Sequence, residues 1–132
     1  MKKHLLMIAI ASTCLVAGQA SAMTQDEYKV AKEKIEADYK VDKKQCDTLK
    51  DNAKDVCHKE AKGKEAVAKA ELEQQYKPSD RHARDVQEEK IKAAYEVAKE
   101  KCDDMKGDAK SACEKQAKAD QDRGKAELRA SK

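Results

Sequence analysis

The sequence predicts an all-α protein made of two repeated antiparallel helical hairpins, each closed by one disulfide. Three observations lead there: an internal repeat, an almost unbroken run of helix-forming residues, and four cysteines at matched places in the two copies. Set 56 residues apart, residues 24–76 and 80–132 agree at about 20 of 53 positions. The strongest stretch pairs KIEADYKVDKKQCDTLKDNAKDVC (34–57) with KIKAAYEVAKEKCDDMKGDAKSAC (90–113). Both cysteines, the isoleucine, the tyrosine and the valine after it recur in register.

Residues 1–22 have the pattern of a cleavable export signal. Lys2, Lys3 and His4 form a basic start, the run from Leu5 to Ala17 is apolar and uncharged, and Ala20-Ser21-Ala22 offers the small side chains a signal peptidase accepts. The apolar run is too short for a stable membrane anchor. Cleavage is expected after Ala22. A lipoprotein alternative, with Cys14 acylated, fits less well because Thr13 is a poor residue just before that cysteine. Residues 23–77 and 78–132 are then the first and second hairpin repeats.

Thr24 with Glu27 three residues later is a capping box and starts the first helix. YKVAK from Tyr28 and YKVDK from Tyr39 lie 11 residues apart, three turns of a nearly straight helix. Ala, Lys, Glu and Gln fill most other positions. The pattern breaks at Lys50-Asp51-Asn52 and at its counterpart Lys106-Gly107-Asp108, where Gly107 suits a left-handed helix stop and Asn52 or Asp108 can cap the next helix. Pro78 divides the repeats, and Ser79 or Asp80 can cap the third helix. The expected helices are 24–50, 53–77, 80–106 and 109–130, joined within each repeat by a tight turn.

Cys46, Cys57, Cys102 and Cys113 form an even set in an exported chain, where disulfides are the default. Four cysteines allow three pairings, and hairpin geometry selects the local one. A turn centred between residues 51 and 52 sets Cys46 and Cys57 at equal height on facing helices. With axes ~8–10 Å apart and each Cα ~2.3 Å from its axis, the facing Cα atoms come within ~3.5–5.5 Å, a separation a disulfide spans. Cys102 and Cys113 repeat the arrangement. The same register makes Ile35 face Ala68, Ala31 face Leu72, Ile91 face Gly124 and Ala98 face Ala117, each a large or small residue on a 3–4 spaced stripe. Tyr39 and Tyr95 fall on the seams, Tyr28 and Tyr76 at an open end.

Composition limits both core and function. The 110 residues after Ala22 contain no Trp or Phe, two Ile and three Leu, so the seams are thin and the bridges must supply much of the stability. Setting aside the leader's two lysines leaves 27 Lys+Arg against 26 Asp+Glu, a net +1. These charges are interspersed, as on solvated helical faces, and lack the basic, aromatic-studded patch of a nucleic-acid binder. No transmembrane segment is expected after cleavage. Catalysis has no foothold: the sequence has no Gly-rich phosphate loop, no C-x-x-C redox motif and no Ser/His/Asp set that the hairpins would assemble. Cu or Zn binding by the cysteines with His58 is an alternative, but the ten residues between paired cysteines suit a bridge better than a metal site, and His58 has Glu114 as its counterpart. No catalytic residue, cofactor or metal ligand is assigned. Two functional classes stay open: an interaction or structural component of the cell envelope, meeting an unknown protein partner through its charged faces or through a weaker stripe of Val30, Ala37 and Val41; and a stress-related, chaperone-like binding protein. The two hairpins are free to close into a four-helix bundle or to remain end to end about Pro78.

AMTQDEYK (22–29), CDTLKDNAKDVCHKEAKGKEAVAKAELE (46–73) and YEVAKEKCDDMKGDAKSAC (95–113) resemble small exported Lys/Ala-rich, cysteine-containing helical proteins of Gram-negative β-proteobacteria. Some members of that group are labelled TolA-like or cell-envelope-biogenesis proteins, by composition. The resemblance covers nearly all of the chain after the leader and implies a periplasmic location. It brings no active-site residues with it.

Overall fold

A computed structural model describes residues 22–131; the expected export signal and Cys14 lie outside that range. Four helices make up the fold: α1 (Gln25–Cys46), α2 (Asp51–Tyr76), α3 (Asp80–Cys102) and α4 (Gly107–Ala130). Among the described residues there is no strand, and no helix is long and apolar enough to cross a membrane.

The capping box forms as the sequence predicts. Thr24 Oγ1 accepts from the Glu27 backbone N–H (3.2 Å), and the Glu27 carboxylate accepts from the Thr24 backbone N–H (2.7 Å). Ser79 caps α3 by accepting from the His82 N–H at 3.0 Å.

The bends within the repeats differ from the expected ones. α1 and α3 stop at their cysteines, four residues earlier than the composition suggests, and residues 47–50 and 103–106 form the turns. Asp51 (φ 51°) and Gly107 (φ 56°) occupy the left-handed region, so each opens the following helix instead of closing the preceding one. Asn52 is therefore no cap. Its side-chain amide donates to the Glu100 carbonyl (3.0 Å), tying the start of α2 to the end of α3. Sequence reasoning missed these ends because Lys, Asp and Thr continue a helix almost as readily as they leave one. A left-handed aspartate is strained where glycine is at ease. We expect Asp51→Gly, which copies the second repeat, to raise stability by about 0.5–1 kcal/mol in thermal unfolding, and Gly107→Ala to lower it.

Both predicted disulfides are present, Cys46–Cys57 and Cys102–Cys113, with Cα atoms 5.4 and 5.7 Å apart, at and just beyond the upper edge of the expected separation. The seam register holds. Ile35, Ala61 and Ala68 line one small space between α1 and α2. A Cβ added at Gly124 would lie 3.1 Å from Ile91 Cγ1. The core is small: among the described residues Cys46, Ala61, Leu72, Val86, Cys102 and Ala117 are the buried apolar ones, so two of the six are bridge cysteines. Tyr28 and Tyr76 stack at the open end of the first hairpin (centroids 4.5 Å apart), and Tyr28 donates to Glu73.

The hairpins pack side by side. α2 and α3 share the most extensive interface, α1 packs on α2 and α4 on α3, and no other pair of these helices touches. The result is a helical bundle laid out as an open row, with both bridged bends at one end and the Pro78 turn at the other.

A candidate interaction surface

Among the described residues the four cysteines, Cys46, Cys57, Cys102 and Cys113, are joined in pairs, so none of them is present as a thiolate. His58 Nε2 lies 3.1 Å from an Asp47 oxygen. Among the described residues no cluster of three or more His, Cys, Asp or Glu side chains could hold a metal ion. Cys57 stands beyond the first turn of α2, where the field of a helix N-terminus has largely faded.

Each bend carries the same ion pair. Asp47 meets Lys54 (3.1 Å) in the first repeat and Asp103 meets Lys110 (2.7 Å) in the second. The hydrogen bond from the lysine ammonium holds each aspartate below its ordinary carboxylate range, and raises Lys110 in return. A depressed carboxyl contributes stability above its unfolded pKa, near 4, and that contribution disappears as pH falls through the folded value. The melting temperature should therefore stay flat from neutrality to about pH 5 and decline below about pH 4, with a shallower acid limb in Asp47→Asn/Asp103→Asn.

Among the described residues, apolar surface is exposed in three places. Leu49 and Met105, counterparts in the two repeats, project from the bends and are 43% and 44% exposed. An open groove of about 620 Å³ follows the α2–α3 seam, floored by Gly63, Val67, Ala93 and Val97. Its rim charges already pair with each other, Lys90 with Glu71 (2.8 Å) and Lys101 with Glu60 (3.3 Å). The third place is the outer side of α1, where Val30 and Val41 are 67% and 54% exposed and Ala37 lies bare between them.

The repeat explains the third surface. Val30, Lys34, Ala37 and Val41 recur unchanged in α3 as Val86, Lys90, Ala93 and Val97. In α3 this stripe is the face laid on α2. Val86 is buried, Ala93 lies so close to Gly63 that a Cβ there would come within 2.8 Å of its own, and Lys90 pairs with Glu71. One copy of the stripe is thus covered by a helix, and the other faces solvent. Sequence periodicity had found Val30, Ala37 and Val41 as a secondary stripe; that its duplicate is a packing surface emerges only from the fold.

No protein-family model matches the chain, and no curated protein or solved structure matches it.

Proposed function

We propose that this is a non-enzymatic periplasmic protein that acts as an interaction component of the cell envelope, meeting a partner protein through the outer face of α1. The export-signal pattern and the two disulfides support the compartment. The bare α1 stripe carries the functional reading: four residues identical to those of the α3 face packed on α2 stand on a helix with no neighbour on that side among the described residues.

The test is site-specific photo-crosslinking in cells. A crosslinker at Val41 should give a discrete adduct, and one at Asp122 on the polar outer side of α4 should not. Adduct-free chain at Val41, at the α2–α3 groove and at the bends would overturn the reading. A chaperone-like role is separated by a second assay. Suppression of aggregation of a denaturing client, increased by reduction, would favour that role, whereas an adaptor suppresses nothing in either redox state.

A further inference from the structure

The two copies of the stripe differ in their flanking charge. In α3 the flank is acidic: Glu96 and Glu100 both face Lys59 of α2, at 3.2 and 3.9 Å. In α1 the corresponding residues are Lys40 and Lys44, both exposed. Four apolar and basic positions are kept while the two that choose the partner's charge are reversed. A helix docked on α1 in the manner of α2 on α3 must then carry carboxylates where α2 carries Lys59.

The same register tests whether another copy of this chain could be the occupant. The α2 equivalent in the second repeat is α4, which has Lys115 in place of Lys59 and Arg123 in place of Val67. Head-to-tail stacking of α4 on α1 would set Lys115 against Lys40 and Lys44, and would put Arg123 where Val67 lines the α2–α3 groove. Like charges directly opposed across a helix pair are unfavourable, and opposed charges give specificity. Charge therefore disfavours extension of the row by another copy of the chain.

We propose that the outer face of α1 is a docking site for a single helix of a partner protein, with glycine opposite Ala37 and carboxylates opposite Lys40 and Lys44. This rests on the interaction reading above and adds the chemistry of the partner. The small residue follows from Gly63, which lets α2 approach Ala93 closely. A glutamate opposite Lys34 repeats the Lys90–Glu71 pair.

The experiment uses the full oxidised chain and a stapled helical peptide copying residues 51–76, with Cys57→Ser and either Lys59 or Lys59→Glu. Methyl NMR follows Val30 and Val41. The Lys59→Glu peptide should bind roughly five-fold more tightly than the Lys59 peptide, as two exposed charge contacts allow, and should shift both valine methyls. On a Lys40→Glu/Lys44→Glu chain the preference should reverse. Equal affinity of the two peptides, or shifts confined to the α2–α3 groove, would overturn the inference. So would sedimentation showing that the unmodified chain self-associates with Val30 and Val41 protected. Those results leave the cellular adduct unaffected, so the charge rule and the interaction reading fail separately.

Discussion

Full reduction of the two disulfides is expected to remove most of the cooperative helical signal at physiological temperature. Each bridge closes a loop of 12 residues with its ends 11 apart in sequence, worth about 3 kcal/mol in the chain-entropy account. Small domains have only about 5–15 kcal/mol in total, and among the described residues here six apolar ones are buried, of which Cys46 and Cys102 are two. Losing a bridge therefore removes a restraint on the unfolded chain and part of the core together. Circular dichroism melts of the oxidised chain, of Cys46→Ser/Cys57→Ser, of Cys102→Ser/Cys113→Ser and of the fourfold variant should show stepwise loss, with the fourfold variant largely unfolded at 37 °C. A fourfold variant that melts with the wild type would show that the helical seams suffice alone.

Gly63→Ala should destabilise the chain although it replaces a mid-helix glycine. Alanine is the better helix former by about 1 kcal/mol, and on an open surface the change would help. Here the new Cβ would meet the Ala93 Cβ at 2.8 Å. Neither atom can rotate away, since each is fixed to a helical backbone. α2 and α3 must move apart along the interface that joins the hairpins, a net cost of about 1–3 kcal/mol. Ala93→Gly should restore it. In the double variant the methyl is moved from one helix to the other, the propensity changes of about 1 kcal/mol cancel, and stability should return close to wild type. An additive double mutant would mean that the close approach is not what limits the packing. Gly63→Leu should go further and separate the hairpins while each stays bridged, which limited proteolysis near Pro78 would report.

These two results also mark what the sequence could and could not convey. The hairpin seams were legible because Cys46, Asp42, Tyr39, Ile35 and Ala31 follow one another every three or four residues and their partners, summed about a fixed centre, do the same. The local pairing of the cysteines followed from that register. The junction between hairpins was not legible, since Gly63 reads as a weak point in a helix until Ala93 is found against it. Whether the α1 stripe matters was equally hidden: Val30, Ala37 and Val41 are too few to stand out by hydrophobicity. Comparison with their duplicate on the α3 face packed against α2 gives them meaning. The bends were misjudged because Asp51 does without glycine what Gly107 does with it, and nothing in the composition distinguishes an aspartate held at positive φ from one inside a helix.

Because α1 to α4 alternate in direction, both sulfur links lie at one end of the row, and the chain's first and last described residues lie at the other. Unravelling consequently has a direction. Backbone amides should exchange with deuterium fastest around Tyr28, Tyr76 and Leu128 and slowest beside Cys46 and Cys102. A load applied between the two extremities should peel the helices from the tyrosine end inward and halt at the crosslinks, leaving two short closed rings intact.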